Sequence, residues 1–219
     1  MILEVRAEAP FYKNGFVLGC ERTHEAVVID PGDEVAELIA LVAQHQLSVK
    51  HILLTHAHID HVTGVGPAVA AFGVPVHLHR DDLFLYERSE QQAAMFGLPS
   101  VSLPPIDHFY DGSCFTFGDY EVRVHHTPGH CPGGVCLQVE KYGEAGRELF
   151  VGDTLFAGSI GRTDLPGGDY DVLMKAITEV LLPLGDDAVV HPGHGPDTTI
   201  GRERTTNPFI VEYLRNSHG

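Results

Sequence analysis

Positively charged side chains are scarce in this sequence. Its 219 residues include 14 Lys and Arg against 30 Asp and Glu, which gives a formal net charge of -16 at pH 7. Nucleic acids and anionic membranes are bound through clusters of Lys and Arg, so the composition argues against both as partners. A small anionic substrate is not excluded, because a few cations can dominate the potential inside one pocket.

Long apolar segments and closely spaced cysteines are also missing. No apolar stretch approaches the roughly 18 residues that a membrane helix requires. The first residues, MILEVRAEAP, lack the basic start and apolar centre of a signal peptide. The four cysteines have no Cys-x-x-Cys spacing, and we expect them to be reduced thiols. These absences together predict a cytoplasmic protein.

Histidine, by contrast, is abundant, with 15 residues. The segment HILLTHAHIDHVTG, residues 51–64, places four potential metal ligands directly behind an apolar run: His56, His58, Asp60 and His61. Histidine is the commonest metal-binding side chain, so this spacing indicates a metal site. A polar loop at the end of a strand is the alternative interpretation.

Apolar periodicity predicts strands alternating with helices over most of the chain. The predicted strands cover residues 15–19, 25–30, 50–54, 74–79, 113–118, 120–126, 134–140, 147–151 and 188–191. The predicted helices cover residues 34–46, 65–72, 80–96 and 170–182, followed by a short helical tail. This order predicts an α/β fold of two packed sheets with helices outside. Because no linker interrupts it, we expect one domain over residues 1–219.

Three further segments place a His or an Asp just beyond an apolar strand. His130 ends the segment VRVHHTPGH, Asp153 ends LFVGD, and His194 lies in VVHPGHG. In α/β folds, ligands bind beyond the carboxyl ends of the strands. Together with the cluster at 56–61, four strands are therefore expected to bring candidate ligands to one rim.

The number of candidate ligands suits two metal ions rather than one. Three histidines can hold one ion and leave an open position, as catalytic zinc requires, whereas structural zinc takes four protein ligands. Asp60, His61 and His194 can hold a second ion, and the two oxygens of Asp153 can bridge the pair. We therefore expect a catalytic site with two divalent ions, zinc foremost and iron or manganese as alternatives.

The motifs HAHIDH, TPGHCPGG, VGDTLF and HPGHG, in this order, resemble those of the metallo-β-lactamase superfamily. The resemblance implies a four-layer αββα sandwich, in which two β-layers are flanked by helices. It also implies how the ligands divide between the ions. The first ion would be held by His56, His58 and His130, the second by Asp60, His61 and His194, and Asp153 would bridge them.

Within that superfamily, GDTLFAGSIGR resembles the hydroxyacylglutathione hydrolases, or glyoxalase II group, and their small bacterial relatives. Those enzymes hydrolyse thioesters such as S-lactoylglutathione. Arg162 lies where the group commonly has a cation that contacts glutathione, and an exposed loop arginine is the alternative reading of it. Asp164 and Pro196 replace common aromatic contacts, and the chain ends 25 residues after His194, too soon for the group's full helical extension.

The sequence thus predicts a binuclear hydrolase of small thioesters, S-lactoylglutathione foremost, that uses a hydroxide held by the metal pair. Asp60 would orient the water or accept a proton, and Asp153 would hold the pair together. The alternatives are a persulfide dioxygenase with a single iron and a hydrolase of another small ester or lactone. The two complete ligand sets favour the binuclear hydrolase. Asp30 is a candidate to orient a ligand histidine or the 55–60 loop through hydrogen bonds.

Overall fold

The computed structural model describes residues 1–112 and 114–217, and its N-terminal part forms a six-stranded sheet. The strands are β1 Ile2–Glu8, β2 Lys13–Gly19, β3 Glu25–Ile29, β4 Ser48–Leu53, β5 Val76–Leu78 and β6 His108–Phe109. They are neighbours in this same order. The first three are antiparallel, whereas β3 to β6 run parallel. Parallel pairing requires long crossover connections, which helices supply.

The C-terminal part of the chain forms a second six-stranded sheet and a small two-stranded ribbon. The sheet strands are β7 Phe115–Phe117, β8 Tyr120–His126, β9 Val135–Lys141, β10 Glu148–Gly152, β13 Val189–Pro192 and β14 Thr198–Thr199, and the ribbon strands are β11 Leu155–Phe156 and β12 Ser159–Ile160. The order across the sheet is β14-β13-β10-β9-β8-β7, and only β10 and β13 are parallel among these pairs.

Eight α-helices lie against these sheets in the described part of the chain. They are α1 Val35–Gln44, α2 Ile59–Val62, α3 Val65–Phe72, α4 Leu83–Glu87, α5 Ser89–Met95, α6 Tyr170–Lys175, α7 Ile200–Thr206 and α8 Pro208–Ser217. Short 3-10 turns occur at Arg80–Asp82 and Leu182–Leu184, and α6 continues as a π-type segment over Ala176–Leu181. No helix among the described residues is long and apolar enough to cross a membrane.

Apolar side chains form three layers that alternate with the two sheets. In β10, Phe150 packs between the sheets, and its ring contacts that of Phe16 edge to face, with centroids 4.9 Å apart. The flanking Leu149 and Val151 join the layer between the second sheet and its helices. Successive residues of a strand point to opposite faces, so one apolar run supplies both layers. The first sheet and its helices enclose the third layer. The prediction of an αββα sandwich is therefore confirmed.

The prediction of one helix over residues 80–96 is wrong, because the segment folds as a 3-10 turn followed by α4 and α5. The two helices meet at Arg88, whose backbone lies outside the helical region at φ -98° and ψ 16°. The bend lets both helices bury apolar side chains, Leu85 and Tyr86 from α4 and Ala93 from α5. Tertiary packing thus interrupts a segment whose local periodicity favours a continuous helix.

Five strands were not predicted from the sequence: β1, β6, β11, β12 and β14. β1 alternates between half-buried and exposed positions at the edge of its sheet, so its apolar signal is weak. The other four have only two residues each and are too short to show a period. Residue 113, where a strand was predicted to begin, lies outside the described residues, as do the last two residues of the predicted helical tail.

Three histidines on adjacent strands make it possible to test how the free energy of unfolding depends on pH. Nδ1 of His51 lies 3.1 Å from Nε2 of His77, whose ring stacks on that of His108 with centroids 5.1 Å apart. Burial, together with His51 and His108, lowers the pKa of His77 to about 4. An unfolded histidine titrates near 6.5. The unfolded chain therefore binds this proton more readily, and the free energy of unfolding should fall as pH drops from about 6.5 toward 4.

The variant His77→Gln should show a shallower loss of stability over this pH range than the wild type. Urea unfolding at pH 7 and pH 5 measures the difference. The exposed His24 provides the control, because His24→Gln should leave the pH dependence as it is in the wild type. Equal slopes for His77→Gln and the wild type would contradict the prediction.

Candidate metal centre

The chain leaves β4 through a loop that turns directly into α2 and carries four polar side chains. His56 lies in this loop, His58 precedes the first residue of α2, and Asp60 and His61 lie within its single turn. His56 and His61 are only 2% and 0% exposed. Burying imidazoles costs free energy unless other groups satisfy their nitrogen atoms, so this loop depends on partners from elsewhere in the fold.

Three other loops bring polar side chains to the same place. His130 follows β8, Asp153 directly follows β10, and His194 lies two residues beyond β13. Because β10 and β13 are parallel neighbours, their carboxyl ends lie side by side. The structure thus brings together the side chains that the sequence predicts as ligands. They are His56, His58, Asp60, His61, His130, Asp153 and His194.

The candidate ligand atoms form two groups, and within each group they lie no more than 4.8 Å apart. The first group is His56, His58 and His130, and the second is Asp60, His61 and His194. Asp153 lies between the groups. Its Oδ1 is 3.4 Å from Nε2 of His61, and its Oδ2 is 3.7 Å from the Nε2 atoms of both His130 and His194. One carboxylate therefore faces both groups.

Three polar atoms at the centre of this arrangement are buried without a hydrogen-bond partner among the described residues. They are Nε2 of His56, Nε2 of His61 and Oδ1 of Asp153. Buried polar atoms are nearly always hydrogen-bonded, so three unpartnered atoms in one place require an explanation. Bound metal ions would satisfy them, and imidazole and carboxylate donors suit zinc, iron and manganese. The residues present therefore fit a pair of divalent ions.

Asp30 orients one histidine of each group. Nδ1 of His61 donates to Oδ2 of Asp30 at 2.9 Å. The Thr55 hydroxyl donates to the same oxygen at 2.5 Å, so it can accept from Nδ1 of His56 at 3.1 Å. With both Nδ1 atoms engaged, both histidines present Nε2 to the centre. The structure thus gives Asp30 the orienting contacts that were considered for it from the sequence.

A buried ion pair supports the segment that carries Asp30. Lys13 and Glu34 have side chains only 2% and 1% exposed, with Nζ and Oε1 2.7 Å apart. Lys13 also donates to the backbone carbonyl of Asp30, and Glu34 accepts from the backbone amide of Gly32 at 2.9 Å. Both charges are paired and hydrogen-bonded, as buried charges must be. The pair therefore ties β2 to the turn that leads from Asp30 into α1.

The main chain orients His130. Its Nδ1 donates to the carbonyl oxygen of Arg162 at 2.8 Å, so that Nε2 faces the first group, where it lies 2.8 Å from Nδ1 of His58. The Arg162 side chain, predicted as a substrate contact, forms two hydrogen bonds of 2.7 Å with the Asp164 carboxylate. It also lines a cavity of about 270 Å³ beside the ligands. Arg162 thus contributes its backbone to the centre and its side chain to the cavity.

Burial and nearby charges act differently on the histidines of the two groups. Burial, with added repulsion from neighbouring histidines, lowers the pKa of His58 to about 4 and holds that of His56 well below its usual value. Burial also acts to lower the pKa of His61, but carboxylates led by Asp60 and Asp30 outweigh it and raise the pKa to about 10. The surroundings of His56 and His58 therefore favour the neutral imidazole that binds a metal ion, whereas the carboxylates around His61 favour its protonated form.

Asp82 connects two of the ligand-bearing loops, and the sequence analysis did not predict this role. The side chain is fully buried and accepts hydrogen bonds from the amide of Ala57 at 3.0 Å and the amide of Gly133 at 2.5 Å. The Cys131 thiol donates to it at 3.2 Å. Burial raises the pKa of Asp82, and these hydrogen bonds partly offset the effect. Its signal in the sequence is an acidic pair, Asp81-Asp82, near the start of the predicted helix over residues 80–96.

Gly193 allows β13 to approach the centre closely. A Cβ atom at this position would collide with Oδ1 of Asp153 and would lie 2.7 Å from Cε1 of His61. The Gly193 amide also donates to the carbonyl of Gly152 at 2.8 Å, which joins the ends of β13 and β10. A side chain here would therefore push apart the loops that carry Asp153 and His194.

Known proteins resemble this chain in sequence and in fold. Residues 10–194 match the family described as the metallo-beta-lactamase superfamily. The hydroxyacylglutathione hydrolase GloC of Haemophilus influenzae is 40% identical over 189 residues, which cover 84% of this chain and 87% of that protein.

Two solved structures resemble the whole fold. The BLEG-1 B3 metallo-beta-lactamase is 38% identical with a TM-score of 0.83, covering 96% of this chain and 100% of that chain. TTHA1623, in a di-iron-bound form, is 42% identical with a TM-score of 0.82, covering 94% of this chain and 99% of that chain. The proteins similar to this chain thus include one named a hydroxyacylglutathione hydrolase, one described as a B3 metallo-beta-lactamase and one described in a di-iron-bound form.

Substitution of Asp30 tests how the histidines are oriented. In Asp30→Asn, an amide NH₂ replaces one carboxylate oxygen, so the side chain can no longer accept all of its present hydrogen bonds. We expect metal affinity to fall roughly 10- to 100-fold, measured by competition with a chelator. Asp33→Asn is the control, since Asp33 lies in the same turn but accepts only from the Thr63 hydroxyl among the hydrogen bonds found for its side chain. Unchanged affinity in Asp30→Asn would contradict the orienting role.

Substitution of Asp82 tests the connection between the ligand loops. Asp82→Asn leaves one of its buried partners without an acceptor, which costs about 1–3 kcal/mol. The free energy of unfolding in urea should fall by that amount, and the bound metal per chain should fall with it. The neighbouring Asp81 is exposed, so Asp81→Asn should change neither quantity. If both variants behave alike, the role assigned to Asp82 is wrong.

Proposed function

This chain belongs to the metallo-β-lactamase superfamily, and on that premise we propose that it is a binuclear metal-dependent hydrolase that cleaves thioesters. The observation that carries the proposal is the position of Asp153. It faces both ligand groups, and its Oδ1 is one of three unpartnered buried polar atoms between them. A site that holds two ions about 3.5–4 Å apart suits attack of water on an acyl carbon.

Each group of ligands would hold one ion. The first ion would be bound by His56, His58 and His130, the second by Asp60, His61 and His194, and Asp153 would contact both. Divalent ions at such a site lower the pKa of water and polarise a substrate carbonyl. The chain's own contribution is to hold the imidazole nitrogens toward the centre, through Asp30 for His56 and His61 and through the Arg162 carbonyl for His130.

Asp60 is the residue placed to handle the proton of the attacking water. Its Oδ2 is 3.0 Å from Nε2 of His194, and its side chain is 13% exposed, so water can reach it from the cavity. We propose that Asp60 orients this water and takes up its proton. A thiolate is a good leaving group and needs no strong general acid. Consistent with this, the described residues that line the cavity include neither Lys nor Tyr.

The descriptions of the relatives support different candidate substrates for this chain, and one of them supports iron as a metal. The relative named hydroxyacylglutathione hydrolase, at 40% identity, supports a glutathione thioester such as S-lactoylglutathione. The structure described as a B3 metallo-beta-lactamase, at 38% identity, makes lactam hydrolysis the second candidate. The di-iron-bound structure, at 42% identity, supports iron as an alternative to zinc. We propose thioester hydrolysis first, with zinc as the metal to be tested first.

The test begins with protein loaded separately with zinc, iron or manganese, with the metal content measured per chain. We expect about two ions per chain and release of thiol from S-lactoylglutathione, followed with a thiol reagent. Asp153→Ala should lower both the metal content and the hydrolysis rate, the latter by roughly 100-fold or more. Asp171→Ala, which removes an exposed carboxylate in the first turn of α6, should change neither.

Two results would overturn the proposal. One is oxygen uptake with glutathione persulfide by protein that holds a single iron and releases no thiol from thioesters. The other is hydrolysis of a lactam at a higher kcat/KM than any thioester. Wild-type turnover by Asp153→Ala would show that Asp153 does not have the assigned role.

A further inference from the structure

The cavity beside the ligands has a mainly apolar surface. Six of its lining side chains, which we call the apolar wall, are Phe11, Leu85, Met95, Phe96, Leu165 and Pro166. They come from three separate segments: the connection between β1 and β2, the helices α4 and α5 with the residue after α5, and the loop that follows β12. The same cavity is lined by His58, Asp60, His130, Asp153 and His194. The apolar wall and the candidate ligands therefore face one space.

Two members of the apolar wall are unusually exposed for their size. Met95 and Phe96 are 80% and 54% exposed, and the Phe96 ring meets that of Phe11 edge to face with centroids 5.4 Å apart. Exposed apolar side chains that gather in one place commonly mark a site that binds an apolar partner. Here the partner must also reach the candidate metal ligands, so a substrate with an apolar group fits this position better than a protein surface does.

The side chains that line the cavity offer one guanidinium to a substrate carboxylate. Among the described residues that line the cavity, Arg162 is the only Lys or Arg. Its Nε and Nη2 atoms each lie 2.7 Å from a different oxygen of Asp164, so the planar guanidinium is already paired with a carboxylate. Asp164 must be displaced before Arg162 can bind a substrate carboxylate in the same way. The cavity lining thus offers one guanidinium to the two carboxylates of a glutathione thioester, and Asp164 competes for it.

The volume of the cavity also favours recognition of the acyl group over recognition of glutathione. At about 270 Å³, it lies just below the usual range of ligand pockets, roughly 300–1,000 Å³. An acyl group of several carbons together with the reacting carbonyl fits such a space. The glutamyl and glycyl parts of glutathione would extend into solvent, where they make few contacts that select the substrate.

From these observations we infer that the enzyme selects thioesters by an apolar acyl chain that rests on the apolar wall, and that the carboxylates of the thiol half contribute little to the selection. This inference rests on the proposed thioester hydrolysis and specifies its substrate class. Water is the only co-substrate of this reaction. The acyl carbon–sulfur bond breaks, an acyl carbon–oxygen bond forms, one proton of the water goes to the thiolate sulfur, and the other is released as the carboxylic acid ionises.

The first test compares acyl chains on one uncharged thiol. Acetyl and hexanoyl thioesters of N-acetylcysteamine differ by four methylene groups, which should rest on the apolar wall. We expect kcat/KM for the hexanoyl ester to exceed that for the acetyl ester by roughly tenfold or more, because each buried methylene contributes to binding. Phe96→Ala should lower this ratio by roughly fivefold. Tyr142→Ala, which removes an exposed aromatic ring from the turn after β9, should leave the ratio unchanged.

The second test varies the charge of the thiol at a constant acyl chain. Hexanoyl-glutathione should be hydrolysed with a kcat/KM no higher than that of hexanoyl-N-acetylcysteamine. Asp164→Ala frees the Arg162 guanidinium and should raise the ratio of glutathione ester to N-acetylcysteamine ester by roughly two- to fivefold, the range expected for one exposed ion pair. Calorimetry with the S-hexyl thioethers of both thiols, which are not hydrolysed, measures the same preferences as binding.

The outcomes separate the inference from the proposed function. If the metal-loaded protein hydrolyses none of these thioesters, the proposed function fails and the inference fails with it. If it hydrolyses them but shows equal rates for acetyl and hexanoyl esters, or prefers the glutathione ester before Asp164 is substituted, the inference is wrong and thioester hydrolysis stands. A chain-length preference that depends on Phe96 supports the inference.

Discussion

An imidazole that binds a metal ion keeps one nitrogen free for the ion, and the protein commonly holds the other by a hydrogen bond. Asp30 meets this requirement for one histidine in each group of candidate ligands. Its Oδ2 accepts from His61 directly and from the Thr55 hydroxyl, which in turn accepts from His56. The Lys13–Glu34 ion pair holds the backbone from which Asp30 projects. A change at Asp30 therefore affects a histidine in each of the two groups of candidate ligands, although Asp30 belongs to neither group.

The two sheets contribute ligands to one centre because hydrogen bonds outside the centre join the loops that carry those ligands. Asp82 joins the loop after β4, in the first sheet, to the loop after β8, in the second, through the amides of Ala57 and Gly133. Within the second sheet, the Gly193 amide bonds to the Gly152 carbonyl and brings the ends of β13 and β10 together. These contacts lie outside the ligand sets, yet they determine how far apart the ligands are.

The candidate metal ligands bear on the type of reaction, whereas the side chains around the cavity bear on the choice of substrate. In our proposal the ligands hold a pair of divalent ions for hydrolysis, and a structure described as a B3 metallo-beta-lactamase shares the fold at 38% identity. We propose that the choice of substrate depends instead on side chains such as Phe96, Met95 and the Arg162–Asp164 pair, which come from loops and helix ends. Loops on a rigid scaffold can vary while the sheets that position the ligands remain the same.

The sequence by itself determined the family, the layered fold and the identity of the candidate ligands. Apolar strands that end in His or Asp are local patterns, so His56, Asp153 and His194 could be recognised one segment at a time. The sequence made Asp30 a candidate to orient a ligand histidine, but only the tertiary structure decided which other side chains hold those ligands in place. Asp82 contacts residues 25 and 51 positions away, and the bend at Arg88 follows from packing rather than local periodicity. It also decided that Arg162 pairs with Asp164 and that residues from three segments form one apolar wall. The contacts of Asp82 and of the apolar wall join residues far apart in the chain, where no local period or motif records them.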